Sequence, residues 1–330
     1  MEFGLCMWSF TNVHGGMGAT PDPFTAKGLA QLACEHGLGA IELGFKAFEE
    51  PSEAVEHLVS GFCDRRLGLV LDAHGQEAPE AIGEEVERAL GVAGRVGARA
   101  VRTTISTCLE GDRSRFGLGG WRQHLAALVA PLRKAAALAE DLGVPFGVEN
   151  HQDICSSELA WLCEQVGSPY FGVVFDTGNA FAVGEEPTRF LERVGPFLKH
   201  VQLKDYLAHP TPSGWRLVRC PLGAGVVNFP AVIAEVDRHA PGLLGCIELG
   251  ATSARHVRLL EKKWWSLYDP RPWDEMLAAI RGLHAGEESR DVDWRTPHER
   301  GESKAIAASY EMDQFVRSVT YLRELDAFAI

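Results

Sequence analysis

A closed (β/α)8 barrel is the α/β fold this sequence predicts, and three observations lead to it. Eight short apolar runs with strand character alternate with segments of helical spacing, which points to a parallel sheet and away from all-α and all-β folds. The chain has 330 residues, 46% of them hydrophobic, enough to bury a large core. An open doubly wound sheet would usually carry a glycine-rich dinucleotide loop after an early strand, and no G-x-G-x-x-G occurs.

The units follow in order. Phe3 to Trp8 is the first strand, and Pro23 to His36 a helix capped by Gly37. Ala40 to Leu43 is the second strand, followed by a helix from Ser52 to Arg66 that Pro51 and Ser52 open. Leu67 to His74 and Ala98 to Arg102 are the third and fourth strands, with helices at Pro79–Val96 and Trp121–Leu142. The fifth strand ends in Glu149 and the sixth, Gly172 to Asp176, ends the same way; a helix from Ser157 to Val166 joins them. Pro187 to Val194 is helical, Leu198 to Leu203 is the seventh strand, Phe229 to His239 a helix, and Leu243 to Glu248 the eighth strand. Ile306 to Leu325 reads as the helix that closes the barrel, so all 330 residues are expected to form one domain. Residues 251–304 then form an insertion after strand eight, rich in aromatics: Trp264, Trp265, Tyr268 and Trp273, flanked by Arg255 and Arg271. Such a segment is expected to act as a lid on the barrel mouth or as an interface with a second subunit.

Charge and cysteine usage narrow the class. A formal net charge of −13 argues against a nucleic-acid surface. No run approaches the ~20 apolar residues that span a bilayer, and a strand-like run directly follows Met1 and Glu2, so the expectation is a cytoplasmic protein. The 8 cysteines show no C-x-x-C pair or framework spacing and read as buried free thiols.

In a barrel the C-terminal ends of the strands meet at one mouth, so polar residues there converge however far apart they lie in sequence. Glu149, Asp176 and Glu248 each close an apolar strand, and three buried carboxylates repel one another unless a cation neutralises them. Residues two apart in a strand share a face, which puts His151 beside Glu149 as a general base or as an orienting group. The same rule groups His200, Gln202 and Lys204. An oxygen-rich donor set suits Mg2+ or Mn2+ better than Zn2+. Glu42, His74, Arg102, Asn179, Lys204 and Arg255 complete the strand-end set. Among them His74, Arg102, Asn179, Lys204 and Arg255 are candidates to bind substrate, the arginines through a carboxylate or phosphate. Lys204 could contact a substrate oxygen or pair with Asp205 or Glu42. Gly223 and Gly225 read as turn glycines.

The order Ala-Ile-Glu42-Leu, Val-Glu149-Asn-His151, Phe-Asp176-Thr-Gly-Asn179, His200-Val-Gln202-Leu-Lys204-Asp205, Leu222 to Phe229 and Ile-Glu248-Leu resembles the sugar phosphate isomerase/epimerase superfamily, the xylose isomerase-like barrels. That resemblance implies one divalent ion held by Glu149, Asp176, Gln202 and Glu248, with His151, Glu149 and Glu248 as the catalytic groups. It further implies proton abstraction next to a ketone, the ion stabilising the enediolate. Gln202 departs from the histidine of the ketose 3-epimerases and is similar to the lyase members. The first function is therefore an isomerase or epimerase of a keto sugar. The second is a lyase on the same site: a dehydratase, a decarboxylase or a 3-keto-C-glycoside deglycosidase. A non-catalytic sugar-binding or accessory subunit is the third. A barrel endonuclease should show more metal-binding histidines and a basic face. Expected partners are a keto sugar or glycoside, a second copy of the chain and a small accessory subunit.

Overall fold

Each of the eight apolar runs is short, flanked by turn residues and followed by a helical segment, and each one forms a strand. The computed structural model describes residues 1–11, 22–64, 66–289 and 291–328. Strands β1 (Glu2–Cys6), β2 (Ala40–Gly44), β3 (Gly68–Ala73), β4 (Ala100–Thr103), β5 (Phe146–Glu149), β6 (Phe171–Asp176), β7 (Leu198–Leu203) and β10 (Leu244–Ile247) pair in parallel. β10 pairs with both β1 and β7, which closes the barrel. Helices α1 (Ala26–Glu35), α2 (Glu53–Asp64), α3 (Pro79–Val96), α4 (Gly117–Leu142), α5 (Ser156–Val166), α6 (Pro187–Val194) and α7 (Phe229–His239) alternate with the strands.

Strand alternation divides the interior into two compartments. Outward residues such as Ile41, Leu43, Leu69, Leu71 and Val101 join the helices in one large apolar core. Inward residues Cys6, Ala40, Val70, Ala100, Leu244 and Cys246 form a separate, smaller cluster. The inner space is narrow, and a Cβ at Gly4 would lie 2.7 Å from Cys246 Sγ. Bulky residues are therefore excluded from this level.

One irregularity sets the mouth. Between β6 and β7 the register shifts after Val173, so that Val174 faces His200 and Asp176 faces Gln202. Without the shift Asp176 would sit level with Val201, and a one-residue slip sends every side chain to the opposite face.

The sequence reading left 204–228 as a connection, and here the structure differs. β8 (Tyr206–Thr211) and β9 (Gly214–Arg219) form an antiparallel hairpin, and β11 (Arg255–Val257) adds to β9 as a third strand. Asp205 fastens this sheet to the barrel. Its two carboxylate oxygens accept hydrogen bonds from the backbone N–H groups of Tyr206, Gly223, Gly225 and Val227, so the two glycines serve a turn.

The segment after β10 also contains α8 (Lys262–Trp265) and α9 (Trp273–Ala285), before α10 (Lys304–Phe328) returns to the barrel. Phe315 of α10 packs edge-on against Phe10 and Tyr321 against Phe229. The aromatic segment docks on its own chain. Trp264 and Tyr268 are buried, and they donate to the carbonyls of Glu110 and Gly111 in the loop after β4. Only Trp273, 69% exposed, points a large ring outward from that group. Among the described residues no helix is long and apolar enough to cross a membrane.

Candidate active site

Two residues further along the inward faces the barrel interior turns polar. Glu42 follows Ala40, Asp72 follows Val70, Arg102 follows Ala100 and Glu248 follows Cys246, all of them buried. β7 contributes His200 and Gln202 to the same interior.

The deeper level is built on Glu42. His200 Nε2 lies 2.9 Å from Glu42 Oε2, and Gln202 Nε2 donates to Glu42 Oε1 at 2.6 Å. These contacts fix the Gln202 amide and leave its Oε1 buried with no hydrogen-bond partner. Glu42, His200 and Cys246 bring three ligand-type atoms within 4.8 Å of one another. Glu42 and His200 already satisfy each other there, so the trio is explained without an ion.

The upper level holds two cations among four carboxylates. Arg102 donates from Nε to Glu149 Oε2 at 2.6 Å, again from Nη2, and from Nη1 to Asp72 Oδ1 at 2.5 Å. Lys204 Nζ lies 2.8 Å from Asp176 Oδ2 and also pairs with Glu248. This answers the alternatives left open for Lys204: Asp176 and Glu248, not Asp205 or Glu42, are its acidic partners. Asn179 Nδ2 donates to Glu149 Oε1 at 3.1 Å, and Gly250 N–H to Glu248 Oε1 at 3.0 Å. Asp72 also accepts from Trp8 Nε1 at 2.7 Å and contacts His74 Nδ1 at 2.8 Å.

Burial and charge pull these groups in different directions. Burial raises Glu149 and Asp176, outweighing the attraction of Arg102 and Lys204 respectively. Burial also penalises Asp72 and Glu248, but Arg102 with His74, and Lys204, overcome it and hold both below the usual carboxylate range. His151 is pushed down to about 3, first by burial and then by Arg102 and Lys204, so its ring is neutral and its Nδ1 has no partner.

A cavity of about 170 Å3 opens at this level. Glu149, His151 and Glu248 line it, and so do His74, Arg102, Lys204 and Arg255. Asp176, Gln202 and Asn179 are buried against Lys204, Glu42 and Glu149 respectively. Asp72 and Trp8 were missed in the sequence. Asp72 had a visible signal, since it precedes His74 by two positions on the inward face of β3. Trp8 lies in a 3-10 turn just beyond β1, where strand alternation no longer tells which way a ring points.

By ligand type the donor set would suit a hard divalent ion, while among the described residues the group of His, Cys, Asp and Glu ligand atoms within 4.8 Å of one another is Glu42, His200 and Cys246. Glu149, Asp176 and Glu248 offer carboxylate oxygens and Gln202 a buried carbonyl oxygen without a partner, the ligand chemistry of Mg2+ or Mn2+. Asp72, Glu149, Asp176 and Glu248 share Arg102 and Lys204, and Arg255 is a third cation at the cavity.

The chain belongs to the xylose isomerase-like TIM barrel family, whose model matches residues 30–262. It is 22% identical over 237 residues to the 3-oxo-isoapionate decarboxylase of Pectobacterium atrosepticum, covering 70% of this chain and 79% of that one. It is 26% identical over 178 residues to the uncharacterised protein YihM of Escherichia coli. That match covers 54% of this chain and spans about half (51%) of the relative's length. Among solved structures, D-psicose 3-epimerase in the presence of D-fructose superposes with a TM-score of 0.59 at 16% identity, over 86% of this chain and 97% of that one.

Proposed function

We propose that this chain is a divalent-metal-dependent enzyme that removes a proton next to the ketone of a keto sugar or keto-sugar derivative. The observation that supports the reading is the gathering of four buried carboxylates, Asp72, Glu149, Asp176 and Glu248, on Arg102 and Lys204 beside the cavity. Natural chains do not bury unpaired acid charge without a cation or a protonation role for it. Glu149, Asp176, Gln202 and Glu248 would hold the ion. When bound, it would supply Lewis-acid polarisation of the substrate carbonyl, on the order of several kcal/mol.

The chain's own groups supply the rest. His151 lines the cavity with its Nδ1 unpartnered and would take part in the proton transfer with Glu149 and Glu248 as its carboxylate partners. Lys204 pairs with Asp176 and Glu248 at the cavity wall, and its ammonium would bind a substrate oxygen there if those two carboxylates held an ion. Proton return to the opposite face gives an epimer, and return to the adjacent carbon an isomer.

A lyase outcome on the same site is the second reading. Gln202 favours it, and so does the relative named as a 3-oxo acid decarboxylase. Loss of carbon dioxide from a 3-oxo acid also leaves an enolate to be stabilised and protonated, so the same residues serve it. The test is incubation with Mn2+ in D2O of keto sugars, keto sugar acids and 3-keto-glycosides. Deuterium uptake, carbon dioxide and released fragments are the readouts. Deuterium in recovered ketose supports the isomerase or epimerase, and fragment or carbon dioxide release the lyase. No exchange and no product with any of the three classes would end both readings.

A further inference from the structure

Three cations line the cavity, and their surroundings differ. Arg102 is held by Glu149 and Asp72, and Lys204 by Asp176 and Glu248. Arg255 makes no ion pair with any described carboxylate, and its Nε is shielded from solvent with no hydrogen-bond partner. The undescribed stretch that follows Thr11 in the sequence, 12–21, contains no Asp or Glu. A buried guanidinium N–H without an acceptor is costly to keep.

The position of Arg255 is nevertheless firmly built. It begins β11, where it pairs with Leu217 of β9, while the next residue, His256, contacts the hydroxyls of Thr211 and Ser213. Val257 behind it is buried. A side chain anchored in this way is presented to the cavity by the sheet, and no described residue supplies an acceptor for its Nε.

We infer that Arg255 binds the carboxylate of the substrate, which makes the substrate a keto sugar acid and not a neutral ketose. This rests on the functional reading above and names the substrate class for that site. The charges agree with it. One divalent ion, Arg102 and Lys204 together balance Asp72, Glu149, Asp176 and Glu248, with Glu42 a layer deeper against His200. Among the described residues Arg255 is the cation lining the cavity that makes no ion pair, and a monoanion would supply one. A carboxylate also matches the planar fork of a guanidinium, which can grip both oxygens.

The test uses D-gluconate and D-glucitol, which differ only in carrying a carboxylate or a hydroxymethyl group at one end and which lack the reactive ketone. Each is titrated by calorimetry into Mn2+-loaded wild type, Arg255→Lys and Arg255→Met, with bound Mn2+ and thermal unfolding measured on every sample. Wild type is expected to bind gluconate about ten- to a hundredfold more tightly, the worth of a charge-assisted hydrogen-bond pair. Arg255→Met should erase that preference while keeping the glucitol affinity and the Mn2+ stoichiometry, and Arg255→Lys should keep part of it. Should Arg255→Met not fold, an Arg255→Lys protein with undiminished preference counts against the inference and one with reduced preference for it. Equal affinities in wild type, no binding of either ligand, or a preference that survives Arg255→Met overturns the assignment. The last of these would place the carboxylate on the ion or on Lys204. Failure is separable from failure of the reaction class. Deuterium exchange into neutral ketoses without a gluconate preference keeps the chemistry and removes this inference. A gluconate preference without exchange in D2O does the opposite.

Discussion

The barrel mouth and the rim beneath the aromatic segment are built from the same materials, buried arginines, carboxylates and rings, yet their balance is different. At the rim, Arg113 is buried, donates to both oxygens of Glu158 at 2.8 Å and to the Leu267 carbonyl at 2.7 Å, and lies 3.8 Å above the Tyr268 ring. Arg271 sits over Trp265 and Tyr268, with Glu185 Oε1 3.5 Å away. Arg113 has Glu158 to itself, whereas Arg271 shares Glu185 with Arg193 and none of its guanidinium nitrogens has a hydrogen-bond partner; aromatic faces cover both arginines and tie the segment down. At the mouth four acids share two cations beside a cavity. Charge covered by rings makes a clamp; carboxylates gathered at a cavity make a site.

The largest effect should separate the two regions at once. Glu248→Gln is expected to lower turnover about a thousandfold, equivalent to the several kcal/mol of carbonyl polarisation it helps to support. Its melting temperature should fall modestly, because Lys204 holds the Glu248 carboxylate below its usual range and the charged form therefore stabilises the fold, while Asp176 still pairs with Lys204. Turnover together with thermal unfolding checks this, and a fully active Glu248→Gln protein would erase the distinction drawn here. Arg113→Met should do the reverse. Breaking the Glu158 pair costs about 3–5 kcal/mol in urea unfolding, while the folded protein keeps its turnover.

Gln202→His sharpens the comparison within the mouth. Metal binding should persist, measured by metal analysis, while the rate falls severalfold and kcat/KM acquires a new acid limb. An imidazole has an ordinary pKa of about 6.5, and it loses its ligand lone pair on protonation, so activity should drop as pH falls through that region. A profile parallel to wild type would mean that residue 202 is only a spacer. The smallest effect belongs to Trp273→Ala. That ring is 69% exposed, and its loss should cost less than about 0.5 kcal/mol.

Sequence reasoning went furthest where residue pattern and physical cause are local. All eight barrel strands could be read because each is a short apolar run, and the helix limits at Pro79–Val96, Pro187–Val194 and Phe229–His239 coincide with those observed. The hairpin of β8 and β9 was overlooked because His209, Pro210, Arg216 and Arg219 break its apolar alternation. The Pro212-Ser213 turn followed by Gly214, between Tyr206–Ala208 and Trp215–Leu217, was the available signal. Convergence of Glu149, His151, Lys204 and Glu248 followed from barrel geometry, whereas Arg255, expected with the strand-end set, reaches the cavity from β11 of the appended sheet. What sequence could not supply was who pairs with whom. That Lys204 reaches Asp176 and Glu248 while Gln202 turns its amide to Glu42 depends on a register shift between β6 and β7. The docking of Trp264 and Tyr268 on the loop after β4 likewise depends on which surface lies within reach of the segment.

The small sheet of β8, β9 and β11 carries a consequence for how such enzymes diversify. The groups proposed for chemistry come from β5, β6, β7, β10 and the residues just beyond them, whereas Arg255 is delivered by a strand of three residues that belongs to the appended sheet. Reaction and recognition are thus inherited on separate pieces of chain. Replacing one residue on β11 can change which end group is welcomed while leaving the proton-transfer machinery as it is. A lineage with this architecture can acquire a new diet before it acquires a new reaction.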